Sequence, residues 1–193
     1  FEEADSIASA IQLHGKELSY NNIQDGAAAL QLLSEFKEPC VIALKHTNPC
    51  GVGLSDDIYS SWRKAYEADM TSIFGGVVAF NREVDASIAK ELAEIFLEII
   101  LAPSFTQEAL DILTQKKNIR LMRTSDKTAK PYSRTMVRVA GGLLVQDTDK
   151  ISAKVESLTT VTVKKPTEEE IKDALFGEKV VKHVKSNAIV IVK

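Results

Sequence analysis

Cysteine is nearly absent, with only Cys40 and Cys50 in 193 residues. Two thiols on or beside one apolar run build no disulfide framework, and a reducing, cytoplasmic setting is the default. Long hydrophobic runs are missing too. No segment approaches the ~18 consecutive apolar residues of a membrane span, and the start, Phe1-Glu2-Glu3-Ala4-Asp5, has neither the basic nor the apolar region of a secretory signal. No membrane partner is expected. Positive charge is not in excess: 24 Lys and Arg stand against 27 Asp and Glu, for a net charge of −3. Basic residues run no further than pairs such as Lys116-Lys117 and Lys164-Lys165, which argues against nucleic acid as a partner. The chain also lacks Gly-x-Gly-x-x-Gly after a strand, a P-loop, His-Glu-x-x-His and Cys-x-x-Cys, the usual signatures of dinucleotide, nucleotide and zinc sites. Cys50 follows a proline as in zinc deaminases, but the second Cys and the His-x-Glu partner are missing, so no metal is expected. Internal repeats and low-complexity tracts are absent.

What remains is 45% apolar and 26% charged, enough to bury a normal core as one domain or one domain with an appended lobe. Gly15 to Asn22 reads as a polar loop. A helix follows with Asp25 as N-cap and Leu30, Leu33 and Phe36 on its apolar face, ended by Pro39. Cys40-Val41-Ile42-Ala43-Leu44 reads as a buried strand, followed by a turn through Gly51 and Gly53. Ser55-Asp56-Asp57 opens a helix with Ile58, Trp62, Ala65 and Tyr66 inward. Residues 74–80 form a strand entered through Gly75-Gly76, and Asp85 caps a helix with Ile88, Leu92, Ile95 and Phe96 inward. Ile99 to Leu101 is a short strand, 106–117 a helix, and 119–122 another strand. This alternation predicts an α/β fold of three layers with a mainly parallel sheet between helices.

Beyond residue 122 the character changes. Residues 123–135 read as a polar linker, and two short strands around Gly141-Gly142 and a strand over 158–163 follow. Thr167 and Glu170 form a capping box for a helix carrying Ile171, Ala174, Leu175, Val181 and Val184, which leads through Ser186-Asn187 to a final strand over 188–192. The chain begins without Met and stops at Lys193 directly after that strand, so it is read as a piece of a longer protein.

Chemistry is expected at Lys45-His46-Thr47-Asn48-Pro49-Cys50-Gly51. A buried strand ending in a cation, an imidazole and a polar turn sets titratable groups at the carboxyl edge of a sheet, where open α/β folds bind ligands. Each candidate keeps an ordinary reading. Lys45-His46 equally reads as a solvated edge, Gly75-Gly76 as a packing or bulge feature, Asn21-Asn22 as a turn, Ser186-Asn187 as a helix C-cap and Glu98 as a solvated charge. His14 and His183 are read as structural or surface residues.

Four segments carry a resemblance. Leu13 to Asn22, Lys45 to Gly51, Ser72 to Glu83 and Lys185 to Val190, in this order, resemble the bifunctional purine biosynthesis family, AICAR transformylase/IMP cyclohydrolase. The resemblance runs over essentially the whole chain. It implies a zinc-free, cytidine deaminase-like mixed sheet flanked by helices. Residues 1–122 would be the first lobe of the transformylase domain, and 123–193 a linker, connecting helix and the start of the following strand. It also implies transfer of a formyl group from 10-formyltetrahydrofolate, as co-substrate, to the 5-amino group of AICAR in inosinate synthesis. The cyclohydrolase domain, the Arg-Tyr-Gly-x-Asn-Pro-x-Gln motif and the second repeat with its Gly-x-Gly-x-Gly-Gln motif are absent from the chain.

By resemblance the catalytic residues are Lys45, His46 and Asn187, and Asn22, Gly75 and Glu98 hold the AICAR base and ribose; the Asn22 alignment can slip to Asn21. The AICAR amine is a poor nucleophile because its lone pair is delocalised into the ring and the carboxamide. It needs a general base, the role implied for His46, since an imidazole ordinarily titrates near ~6.5. Lys45 would stabilise the oxyanion or help protonate the departing folate nitrogen, and Asn187 would donate to the formyl oxygen. A homodimer is expected for the full-length enzyme and little or no activity for this chain alone. The alternative is a non-catalytic nucleotide-binding or dimerisation module.

Overall fold

A computed structural model describes residues 6–125 and 134–193 of the chain. Its centre is a six-stranded mixed sheet made of β1 (Ile11–His14), β2 (Cys40–Lys45), β3 (Asn48–Leu54), β4 (Gly76–Phe80), β5 (Leu97–Ala102) and β6 (Arg120–Arg123), in the order β1-β6-β5-β4-β2-β3. Only β4–β5 and β5–β6 pair in parallel; β1–β6, β2–β4 and β2–β3 are antiparallel. The mainly parallel sheet expected from the alternation is thus corrected to the mixed one that the resemblance implies. The cause is the short loop between β2 and β3: two residues can only return the chain beside itself, as a hairpin. The helix after β3 then carries the chain over β2, so β4 lands antiparallel on its other side.

Alternation along the strands feeds two cores. Val41, Val78, Phe80, Ile100 and Leu121 pack with Trp62, Ile88, Leu92 and Leu113 from α2 (Ile58–Ala68), α3 (Ala86–Ala93) and α4 (Gln107–Leu113). Ile42, Leu44, Val77, Ile99 and Leu101 pack with Leu32, Phe36 and Val180 from the side of α1 (Tyr20–Leu33) and α5 (Glu168–Val181). Three layers result. Caps define several helix starts as expected, Asp57 for α2, Asp85 for α3 and the Thr167–Glu170 box for α5, and Thr106 caps α4.

Other expectations are corrected. Ser19, not Asp25, caps α1, because Ser19 Oγ accepts from the Asn22 N–H while Asn22 Oδ1 accepts from the Ser19 N–H. Gly51 and Gly53 lie inside β3 rather than in a turn. A Cβ on them would sit 2.0 Å from the Ala65 carbonyl oxygen and 1.9 Å from that of Ser61, so glycine lets α2 press directly on the strand. Phe96 is half-exposed, since α3 stops at Ala93 and its period does not reach that far. β1 is a strand where none was read.

The C-terminal region holds a separate hairpin, β7 (Arg134–Val139) and β8 (Gly142–Asp147), exposed along both strands. Most of the stretch read as a linker lies outside the described residues. The strands expected over 158–163 and 188–192 do not form: Val161 and Val163 are open to solvent, and Val190 and Val192 lie along α5 with no strand to pair with.

Candidate functional site

The hairpin between β2 and β3 turns on His46 and Thr47, with φ of 52° and 61°. Two successive left-handed residues are the type I′ arrangement that hairpins favour, usually filled by Asn-Gly. Holding L-residues there costs about 1–2 kcal/mol each, and more for a β-branched one such as Thr47. Support comes from outside the hairpin. Asp25 Oδ1, on α1, accepts from the Thr47 N–H at 2.8 Å, a charge-assisted bond worth about 1.5–3 kcal/mol. The His46 imidazole is exposed and makes no hydrogen bond among the described residues.

Around this turn the sheet topology gathers the other candidates. Because β2 is antiparallel to β4, with Leu44 opposite Val77, the end of β2 meets the start of β4. Gly76 pairs with Leu97 and Ile99 with Arg120, so the starts of β4, β5 and β6 share that edge. It is the carboxyl edge for β1 and β2; for β3, β4, β5 and β6 it is the amino edge, which corrects the expectation of a shared carboxyl edge. Lys45 Nζ donates to the Phe74 carbonyl at 2.5 Å. The next residue, Gly75, has φ +69°, and its N–H donates to the Phe96 carbonyl at 2.7 Å. A Cβ there would lie 3.9 Å from Lys45 Nζ, so the ammonium sits directly over a bare backbone. A cavity of about 500 Å³ opens beside it, lined by Phe74, Phe96, Leu97, Lys116 and Ile119 among others.

Asn22 is one of two buried polar side chains among the described residues, 3% exposed. Its Nδ2 donates to Glu98 Oε2 at 2.6 Å, and that carboxylate lies 3.8 Å from the Arg120 guanidinium. Glu98 is therefore a paired group, contrary to its reading as a merely solvated charge. Of the two asparagines Asn22 makes this contact, whereas Asn21 points to solvent. Asn187 is exposed, five residues beyond the α5 cap at Lys182, which removes its reading as a helix C-cap. Two residues earlier, the Lys185 N–H donates to Asn48 Oδ1 at 3.1 Å and Lys185 Nζ to the His46 carbonyl at 3.3 Å. The segment bearing Asn187 is thus tied to the turn bearing His46.

Sequence reasoning missed Asp25, Arg120 and Lys185 as parts of this edge. Asp25 did leave a signal: it stands three residues after Asn22, on the same face of α1. The other two depend on sheet register and on a long-range contact that no local pattern displays.

Of the two thiols, Cys50 lies in β3 two residues beyond Asn48, and Cys40 opens β2 at the end far from the turn. Burial pushes the Cys50 thiol up to about 11, and burial pushes Cys40 higher still, so both stay protonated at neutral pH. No three His, Cys, Asp or Glu side chains converge as a metal-binding group among the described residues. The chemistry on offer is a cation, an exposed imidazole and amide and carboxylate hydrogen-bonding groups along one sheet edge. That set suits proton transfer from, and orientation of, a polar ligand.

A sequence model of the AICARFT/IMPCHase bienzyme matches residues 1–193. Among curated proteins, the chain is 58% identical over 188 residues to the bifunctional purine biosynthesis protein PurH of Anoxybacillus flavithermus, covering 97% of this chain and 37% of that protein. The protein of that name from a Thermoanaerobacter species is 55% identical over 191 residues, covering 99% and 37%. The one from Bacillus cereus (strain ATCC 14579) is 53% identical over 193 residues, covering 100% and 38%. The chain thus spans less than two-fifths of the length of these relatives.

Proposed function

The chain belongs to the AICARFT/IMPCHase bienzyme family, and from that premise we propose that its sheet edge is the AICAR-binding and proton-transferring side of a formyltransferase site. The site moves a formyl group from 10-formyltetrahydrofolate to the 5-amino group of AICAR on the way to inosinate. The observation that carries this reading is the convergence of Lys45, His46, Gly75 and the Asn22–Glu98 pair at one edge of the sheet, with the Asn187 segment tied to the same turn.

Asn22, Gly75 and Glu98 orient AICAR. The buried Asn22 amide holds the Glu98 carboxylate in place, leaving its remaining lone pairs for the ligand, and Gly75 lets the ligand approach the backbone. As the amine attacks the formyl carbon, His46 takes its proton, and the new C–N bond forms while the bond from the formyl carbon to the folate nitrogen breaks. Lys45 faces the oxyanion that develops on the formyl oxygen, and Asn187 donates to the same oxygen. The proton passes to the departing folate nitrogen, which leaves His46 neutral again.

The fold is read as the first cytidine deaminase-like lobe, residues 1–122, followed by a linker and connecting helix. Residues that bind the folate belong to the remainder of the protein, and a second subunit of a homodimer completes the site, so this chain alone turns over little or no substrate. In the full-length protein, Glu98→Ala is expected to weaken AICAR binding by about ten- to a hundredfold, as loss of a charged hydrogen-bonding partner of about 1.5–3 kcal/mol requires. Calorimetric titration with AICAR measures it; unchanged affinity removes Glu98 from the binding site.

A further inference from the structure

We propose that Asp25 is a positioning residue, whose carboxylate holds the His46-Thr47 turn in its left-handed conformation and so sets the imidazole against a ligand held by Asn22 and Glu98. The inference rests on the reading of this edge as the formyl-transfer site.

The turn places an imidazole where hairpins ordinarily place asparagine, and a β-branched residue where they place glycine. Neither residue favours φ above zero, so the hairpin alone leaves the direction of His46 poorly determined. Within the turn, Thr47 Oγ1 and Asn48 Nδ2 bond only to the His46 carbonyl. Lys185 reaches the same carbonyl, from an exposed position. The Thr47 N–H is the donor that fixes the second left-handed residue, and its acceptor is Asp25 Oδ1 at 2.8 Å.

Asp25 is also one helical turn from Asn22 on α1, and α1 packs on β2, β4 and β5. The helix therefore carries two brackets on one rigid face. One grips the turn of the proposed base; the other grips the carboxylate proposed to hold the substrate. Moving the turn relative to α1 changes the distance between base and substrate without touching either binding partner. Displacements of about 1 Å at such a distance cost on the order of a hundredfold in rate.

The test uses the full-length protein. Asp25→Ala should lower kcat for formyl transfer about 10- to 100-fold while the AICAR KM stays within about threefold. Asp25→Asn keeps an oxygen acceptor in place and should recover most of kcat. Hydrogen exchange of the Thr47 amide should accelerate in Asp25→Ala and remain slow in Asp25→Asn. Full kcat in Asp25→Ala overturns the proposal, as does a parallel loss of kcat, AICAR binding and melting temperature in both variants, which is the signature of a merely structural role. His46→Ala, assayed alongside, separates the two claims. Full activity in that variant sinks the general-base reading, whereas a crippled His46→Ala beside a fully active Asp25→Ala sinks only the positioning claim.

Discussion

At the scale of single residues the edge depends on a few backbone positions that only certain side chains tolerate. Gly75 is the clearest. At φ +69° an L-residue is strained, although the space is adequate, since a Cβ would meet Phe96 at an ordinary 3.5 Å. Gly75→Ala should therefore cost about 1–2 kcal/mol of stability, read from denaturant melts. Because the Phe74 carbonyl holds Lys45 Nζ, the same change should also displace the ammonium. An unaltered midpoint would show that the conformation is not required. Legibility in the sequence divides along the same line. Lys45-His46 stood out because an apolar run ends there abruptly, which is a local signal. The Asn22–Glu98 bond was invisible as a pair, because 76 residues separate its ends and only the placement of α1 against β5 brings them together.

At the scale of elements, the helix caps show what local pattern can and cannot decide. Asp85 and the Thr167–Glu170 box lie directly before unbroken apolar periods, and both were readable. At α1 two candidates compete. Ser19 wins because its reciprocal bond with Asn22 satisfies two donors, which frees Asp25 for the turn. Strands need partners as well as propensity, so 158–163 carries the alternation, and 188–192 the apolar run, without the structure. A second device joins α5 to the end of α1. Glu35 Oε1 accepts from Lys182 Nζ at 2.7 Å and from His183 Nε2 at 3.0 Å, all three side chains being largely buried. Burial acts to raise the Glu35 carboxyl, but the bonds and charges of Lys182 and His183 outweigh it and hold it below its ordinary range. A carboxylate lowered in the folded state binds fewer protons there than in the unfolded chain, so its contribution is complete above the ordinary glutamate pKa of about 4.3 and disappears as pH falls through the folded value. Thermal melts from neutral pH to about 3 should show Glu35→Gln with a shallower acid loss than the parent. Equal slopes would mean that the pair does not couple α5 to folding. Since α5 leads to Lys185 and Asn187, loosening this joint should also loosen the segment that meets the His46 turn.

At the scale of the whole molecule, the reversal of β2 against β4 gives the edge its composition. An all-parallel sheet would bring only strand ends together. Here the end of β2 meets the beginnings of β4, β5 and β6, so Lys45-His46, Gly75, Glu98 and Arg120 lie along one line although they come from four strands or their approaches. The three-layer α/β class is readable from the alternation of helices and strands, whereas the mixed topology is implied by the resemblance and not by that alternation, because the two glycines of β3 disguise a strand as a turn. On the proposed function, binding and proton transfer are separable, and His46 belongs to the second alone. In the full-length protein, His46→Ala should lower kcat for formyl transfer by about 10²–10⁴-fold, the usual contribution of a positioned general base, while AICAR affinity stays within about threefold. A loss of affinity as large as the loss of kcat would contradict the general-base role, and an unchanged kcat would contradict the placement of the reaction at this turn.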